Sequence, residues 1–115
     1  MREEFSRAAL LLGEEALQRL GKAHVAVFGV GGGGSFCCEA LARAGIGSLS
    51  LFDSDTVARS NINRQIIALQ STVGRPKTEV MAERISDINP AAAVVSHPVF
   101  YTAENAEDFP LEGYD

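Results

Sequence analysis

The residues that could carry out chemistry fall in two stretches of the 115-residue chain. The first is GVGGGGSF, residues 29–36, in which five of eight residues are glycine. Gly29, Gly31 and Gly34 form the pattern G-x-G-x-x-G. A run of glycines is costly unless something must come close to the backbone. The pattern is typical of a strand-to-helix turn that binds a phosphate group at the helix N-terminus.

The second stretch is DSDTVARSNINRQ, residues 53–65, followed by GRPK at 74–77. Asp53 comes 19 residues after Gly34, where an acid can accept hydrogen bonds from ribose hydroxyls. The glycines and Asp53 alone fit a dinucleotide as well as they fit ATP. An NAD-dependent oxidoreductase therefore stays open at this point.

The charges of the second stretch favour ATP. Residues 56–78 contain four cations and no acid, in a chain of net charge −5: Arg59, Arg64, Arg75 and Lys77. A local cationic segment on an acidic chain predicts a small anionic ligand, because nucleic-acid binding usually needs a broad basic face. The charge of a triphosphate must be neutralised before a carboxylate can attack its α-phosphorus. Arginine and lysine suit that task.

The elements around these stretches alternate between helices and strands. The sequence predicts a helix over 5–20 that Gly21 ends, an irregular loop over 54–74, and a helix from Pro76 to Asn89. It also predicts strands over 24–28, 48–53 and 92–97, a helix over 35–45, and a short helix over 103–108 capped by Thr102.

This alternation predicts an α/β fold with a Rossmann-like, mostly parallel sheet and flanking helices. We expect one unit over 1–115, made of a helical N-terminal segment (1–22) and a Rossmann-like half (23–115). The apolar run HVAVF at 24–28 is typical of a central strand. Since no strand follows for one of its sides, we expect the chain to be the front part of a larger domain.

Composition adds two expectations. No apolar run approaches the ~20 residues that span a bilayer, and the N-terminus is acidic without a signal pattern, so we expect a cytoplasmic protein. Cys37 and Cys38 are adjacent, which fits neither a disulfide between them nor a zinc pair. We predict that both are small buried helix residues.

The motifs resemble a known family when they are taken together. G-x-G-x-x-G, D-x-D, N-x-N-R-Q and G-x-P-K follow one another as in the adenylation domain of ubiquitin-activating-type enzymes, the HesA/MoeB/ThiF superfamily. The stretches FSRAALLLGEEALQRLGKAHVAVFGVGG and INRQIIALQSTVGRPKTEVMAERISDINP most resemble its tRNA threonylcarbamoyladenosine dehydratase branch. The resemblance covers nearly the whole chain.

The resemblance implies a reaction. ATP and a carboxylate give an acyl-adenylate and pyrophosphate, and in the dehydratase branch the carboxylate belongs to the threonyl group of a modified adenosine in tRNA. Internal attack then closes a ring and releases AMP, so that the net reaction removes water. No catalytic thiol is required.

The resemblance also implies roles for the glycines and the first acid. Gly29, Gly31 and Gly34 would cradle the phosphates and adenosine, and Asp53 would bind the ribose. Gly33 departs from the family pattern, in which a branched apolar residue is usual, and this glycine should loosen the loop.

The remaining roles follow in the same way. Asn61, Arg64 and Lys77 would hold the phosphates, with Gln65 and Asp55 supporting the site. Arg7 would reach the ATP of the partner subunit in a homodimer. Mg²⁺ would accompany ATP, with its main aspartate expected beyond Asp115, so we expect this chain alone to be inactive.

Two further functions remain as alternatives. One is an adenylyltransferase that activates the C-terminus of a ubiquitin-like sulfur-carrier protein, with a sulfur-transfer partner. The other is a nucleotide-binding or dimerising module without catalysis.

Overall fold

Three parallel strands form the centre of the fold, in a computed structural model that describes residues 2–115. The strands are β1 (His24–Phe28), β2 (Ser48–Phe52) and β3 (Ala93–His97), in the order β1-β2-β3. The helices are α1 (Ser6–Leu12), α2 (Glu14–Lys22), α3 (Gly32–Ala44) and α4 (Lys77–Ile88), with 3-10 turns at Glu3–Phe5, Arg59–Asn61 and Ala106–Asp108. The predicted α/β fold with a parallel sheet is confirmed.

The core lies between one face of the sheet and helices α3 and α4. Successive side chains of a strand point to opposite faces, so alternate residues of β1 and β2 enter the core. The buried side chains there include Val27, Leu49, Leu51, Cys38, Ala42, Met81 and Ile85. This packing fixes α3 and α4 against the sheet and sets the positions of the loops at the ends of the strands.

The N-terminal helix differs from its prediction. Residues 5–20 do not form one helix, because Gly13 adopts a φ of 86° and separates α1 from α2. Glu14 and Glu15 then lie in the first turn of α2, where the helix dipole favours acidic side chains. Gly21 does not end the helix, since α2 continues to Lys22.

Two helix starts also differ. Helix α3 begins at Gly32, three residues earlier than predicted, and ends as expected at Gly45, whose φ is 98°. Pro76 is the residue before α4 and not part of its first turn. The predicted end of α4 at Asn89 is confirmed.

The predicted helix over 103–108 is not formed. Only a 3-10 turn at Ala106–Asp108 is present. The Thr102 side chain was predicted to cap the helix, but here the backbone N–H of Thr102 donates to Oδ1 of the Asn105 side chain at 2.8 Å. A short asparagine side chain competes well for nearby backbone groups, and this favours a turn over a helix.

Strand β1 lies at an edge of the described sheet, although its apolar sequence is typical of a central strand. The chain returns to that edge, where the N–H of Asp115 donates to the carbonyl of His24 at 2.7 Å. Oδ2 of Asp115 accepts from the N–H of His24 at 2.8 Å. Across residues 2–115, every helix is too short or too polar to cross a membrane.

Candidate nucleotide site at the ends of the strands

A tight turn joins β1 to α3. Gly29 has a φ of 89°, a conformation that favours glycine, and its N–H donates to the carbonyl of Phe52 at 2.7 Å. A Cβ at Gly34 would lie 1.7 Å from the carbonyl oxygen of Gly29. The turn therefore needs glycine at both positions.

The N-terminus of α3 is uncapped. Its first N–H groups have no acceptor within the helix, and no side chain caps it at Gly31. Because α3 begins at Gly32, the N–H groups of Gly32 and Gly33 belong to this first turn. The sequence predicts a loop for both residues, since a run of glycines gives no helix signal. Such a turn is suited to an anion.

Gln65 packs against the glycine turn. A Cβ at Gly31 would lie 3.3 Å from Nε2 of Gln65, so the missing side chain of Gly31 makes room for this amide. Gln65 is 8% exposed, and its buried Oε1 has no hydrogen-bond partner among residues 2–115. A buried acceptor without a donor is uncommon and marks a place where a ligand or water can supply one.

Asp53 connects the turn to the segment after β2. The residue is 4% exposed, and its Oδ2 accepts from the N–H of Val30 at 2.9 Å. Its Oδ1 accepts from the N–H of Asp55 at 2.8 Å. The carboxylate therefore already holds two backbone groups, and ribose hydroxyls would use its remaining lone pairs. Its assignment to ribose stays a prediction.

Lys77 lies buried beside the same segment. It is 6% exposed, and its Nζ is 3.8 Å from Oδ2 of Asp55, whose side chain is 56% exposed. Its backbone N–H donates to the carbonyl of Asp55 at 3.0 Å. Among residues 2–115 the ammonium has only this distant, solvated carboxylate beside it, so its charge is available to an anion bound nearby.

A compact turn over residues 58–65 carries the other predicted phosphate ligands. Oδ1 of buried Asn61 accepts from the N–H of Ala58 at 2.9 Å. The Asn61 carbonyl accepts from the N–H groups of Arg64 and Gln65 at 3.1 and 2.9 Å. The exposed Arg64 guanidinium folds back on this turn, where Nη1 donates to the Ser60 carbonyl at 2.9 Å.

The four cations of the segment are not equivalent. Arg75 is paired with Glu79 at 2.8 Å and also with Glu83, and these hydrogen bonds raise the pKa of Arg75 above its usual value. Arg59 is exposed and its side chain makes no hydrogen bond or ion pair within residues 2–115. The effective positive charge is therefore smaller than the sequence count suggests.

The structure does not bring Arg7 to this site within one chain. Arg7 is exposed on α1. Within residues 2–115 its side chain makes no hydrogen bond or ion pair with the glycine turn. Its proposed action in a partner subunit stays a prediction.

Cys37 and Cys38 differ. Cys38 is fully buried in α3, and burial raises the pKa of its thiol to about 12, so it is a poor nucleophile. Cys37 is exposed, and the prediction that both are buried was wrong for it. Neighbours on a helix point about 100° apart, and only one of the two can face the core.

The described residues do not form a magnesium site. No group of three or more His, Cys, Asp or Glu side chains within residues 2–115 is placed to hold a metal ion. Both oxygens of Asp53 already accept from backbone N–H groups.

The chain is similar to one protein family and to individual proteins over most of its length. A model described as the ThiF family matches residues 5–115. The tRNA threonylcarbamoyladenosine dehydratase of Bacillus subtilis is 50% identical over 115 residues, which are 100% of this chain and 45% of that protein. The sulfur carrier protein adenylyltransferase of Thermus thermophilus is 38% identical over 90% of this chain and 38% of its own length.

A solved structure agrees with the fold. The crystal structure of the Escherichia coli tRNA N6-threonylcarbamoyladenosine dehydratase in complex with ATP is 49% identical, with a TM-score of 0.95. It matches 98% of this chain and 46% of that chain. The chain thus spans about half the length of the relatives it matches.

Proposed function

The chain belongs to the ThiF family, and we propose that it supplies the nucleotide-binding part of an enzyme that activates a carboxylate with ATP. One observation carries the proposal most directly. Asp53 and Gln65 contact the turn before the uncapped N-terminus of α3, and Asp53 also holds the segment beside which Lys77 lies. The unpaired N–H groups and the Lys77 ammonium can donate to phosphate oxygens, and the orphaned Oε1 of Gln65 can accept from a hydroxyl, an amino group or water.

The proposed step is adenylation. A carboxylate oxygen attacks the α-phosphorus, the bond from that phosphorus to the bridging oxygen breaks, and pyrophosphate leaves. The N–H groups of Gly32 and Gly33 hold phosphate oxygens, while Lys77 and Arg64 neutralise the charge of the leaving pyrophosphate. Arg64 uses only Nη1 in its own turn, which leaves the other guanidinium donors available.

The proposed substrate is threonylcarbamoyladenosine in tRNA. Support comes from the two dehydratases that are 50% and 49% identical to this chain over almost its full length. The adenylate is attacked internally, a ring closes and AMP leaves, so that ATP drives the loss of water. The reaction would take place in the cytoplasm, and its site would be completed by residues outside this chain.

Activation of a sulfur-carrier protein is the second candidate. The identity of 38% to the Thermus thermophilus adenylyltransferase favours it. The first half-reaction would be the same, because both substrates present a carboxylate to the α-phosphorus. The two candidates differ in the molecule that carries the carboxylate and in the group that then attacks the adenylate.

Calorimetric titration with ATP tests the site. Arg64→Ala and Lys77→Met should each weaken binding by about 1.5–3 kcal/mol, the range for a hydrogen bond to a charged group. Methionine keeps the apolar stem of buried Lys77 in place. Arg59→Ala is the matched control, since Arg59 is an exposed cation of the same segment whose side chain makes no hydrogen bond or ion pair among the described residues.

One result would contradict the ATP site, and another would decide between the two candidate substrates. Wild-type ATP affinity in both variants would remove the phosphate assignment. Because residues outside this chain would complete the site, mass spectrometry should be applied to the whole enzyme that contains the chain, and it can follow either tRNA nucleosides or the adenylate of a sulfur-carrier C-terminus. If the carrier is adenylated and the tRNA nucleoside is not converted, the proposed tRNA substrate is wrong and activation of a sulfur-carrier protein takes its place.

A further inference from the structure

The side-chain amide of Gln65 is buried without helping to hold the fold together. Gln65 is 8% exposed, and neither its Oε1 nor its Nε2 makes a hydrogen bond within residues 2–115. Its backbone groups are paired, since its N–H donates to the Asn61 carbonyl at 2.9 Å and its carbonyl accepts from the N–H of Ala68 at 3.0 Å. Burial of an unpaired amide costs free energy that a methionine of similar shape would avoid. The fold alone therefore gives no reason for an amide here.

The amide turns its donor towards the glycine turn. A Cβ at Gly31 would lie 3.3 Å from Nε2 of Gln65 and 3.7 Å from its Oε1, so the nitrogen is the nearer of the two atoms. The carbonyl of Gly31 is already used, because it accepts from the N–H of Ser35 at 3.1 Å and also from the Ser35 hydroxyl. The N–H groups of this amide therefore lie beside the turn without an acceptor from it.

The same turn offers further donors. Helix α3 begins at Gly32, and no side chain caps it at Gly31, so the N–H groups of Gly32 and Gly33 lack an acceptor within the helix. A side-chain oxygen beside a helix N-terminus often accepts from such groups, but Oε1 of Gln65 does not. Donors from two separate segments thus meet at one turn, and a phosphate group can accept from several of them at once.

We propose that Gln65 is a phosphate-binding residue, whose Nε2 donates to an oxygen of the phosphate group held at the N-terminus of α3. The inference rests on the proposed function, and it assigns the buried amide to the nucleotide and not to the fold. It also gives a reason for glycine at position 31, because a side chain there would push the amide away from the turn.

Two variants of nearly the same shape test the proposal, with urea unfolding and calorimetric titration with ATP as the two measurements. Gln65→Met removes the amide, and its unfolding free energy should equal or exceed that of the wild type, because an unpaired buried amide is lost. Its affinity for ATP should nevertheless fall about tenfold, since a hydrogen bond to a charged group is removed. Gln65→Glu should weaken ATP binding further than Gln65→Met, because a carboxylate repels phosphate.

The chain and the ligand each offer a control. Gln70→Met is the same substitution at an exposed glutamine five residues further along the same segment, and it should leave ATP affinity unchanged. Adenosine has the base and the ribose of ATP but no phosphate. Its affinity should be the same for the wild type and for Gln65→Met, because the proposed contact is to phosphate alone.

Three results would overturn the inference. A Gln65→Met chain that is less stable but binds ATP as the wild type does would show that the amide serves the fold. A Gln65→Glu chain with wild-type ATP affinity would show that the atom facing the ligand is an acceptor. Equal weakening of adenosine and ATP would move the contact to the ribose or the base. A wild-type chain that does not bind ATP would contradict the proposed function itself, which is a different failure from these three.

Discussion

Single residues of the glycine run have different tasks. Gly29 is needed for its positive φ, and Gly34 is needed because the Gly29 carbonyl lies where its side chain would be. Gly31 leaves space for the Gln65 amide. Gly33 has no positive φ, and a Cβ placed there would meet no neighbouring atom within 4 Å, so glycine is not required by geometry at this position.

We predict opposite effects of alanine at two of these positions. Gly34→Ala should destabilise the fold by more than about 2 kcal/mol, because a Cβ cannot share space with a backbone carbonyl, and large losses arise from such overpacking. Gly33→Ala should stabilise it by about 0.4–1 kcal/mol, since alanine favours a helix and restricts the unfolded chain. Urea unfolding of both variants measures the difference. A Gly34→Ala protein as stable as the wild type would contradict the geometry of the turn.

At the scale of elements, an ion-pair network ties α3 to α4. Nε of Arg84 on α4 donates to Glu39 on α3, and Arg43 contacts the same carboxylate at 3.3 Å. The side chain of Glu39 is 16% exposed, so water screens these contacts less than it screens a fully exposed pair. The hydrogen bond from Arg84 holds the pKa of Glu39 below its usual value, with a smaller contribution from Arg43.

This network should make stability depend on pH. A lowered pKa means that the pair stabilises the fold above the ordinary glutamate pKa of about 4.3, and the contribution is lost as the pH falls through the lowered value. Arg84→Met should cost about 1 kcal/mol at pH 7 and less near pH 3. Thermal melts at both pH values check this.

The control for this prediction is the exposed pair on α2. Arg19→Met removes an ion pair whose side chains are 70% and 89% exposed, and it should change the melting temperature little at either pH. If Arg84→Met lowered stability equally at pH 7 and pH 3, its effect would be packing of the arginine stem and not charge.

At the scale of the whole molecule, α1 presents an apolar surface. Leu10 and Leu11 are 89% and 86% exposed, and Leu12 is 50% exposed. Neighbouring exposed leucines on a short helix are typical of a surface that another protein covers. Arg7 is exposed on the same helix, so a partner that covers the leucines would bring the guanidinium close to its own surface.

We predict that the partner is a second copy and that Arg7 completes its ATP site. Arg7→Ala and Lys77→Met should each weaken ATP binding, and a mixture of the two variants should regain a set of high-affinity sites, because a heterodimer contains one intact site. Calorimetry of the mixture measures that recovery.

Sedimentation and heterodimer binding test the dimer and the role of Arg7 separately. Leu10→Lys should shift sedimentation towards the monomer, because a buried charge in an interface is costly, whereas Leu69→Lys at an exposed position elsewhere should not. Heterodimers without any recovered sites would show that Arg7 does not act on its neighbour's ATP. A chain that sediments as a monomer at every concentration would contradict the dimer itself.

The sequence by itself determined the parts that depend on local pattern. Apolar strands that alternate with helices along the chain predicted the parallel sheet. The spacing of the glycines predicted the turn between β1 and α3. Asp53 was expected at the end of β2 and lies directly after it. These features depend on steric rules and side-chain periods that act within a few residues, so they can be predicted from one sequence.

Only the tertiary structure decided which side chains meet. Arg75 counts as one of four free cations in the sequence, but the fold pairs it with Glu79 and Glu83. The space at Gly31 is filled by Gln65 from 34 residues further along the chain. The contact between Gly31 and Gln65 depends on how distant segments pack, and one sequence contains no local signal for it. Arg75 and Glu79 are only four residues apart, but the sequence does not say whether such an exposed pair forms. The positive charge available at the proposed phosphate site therefore depends on the fold and not only on the count of cations.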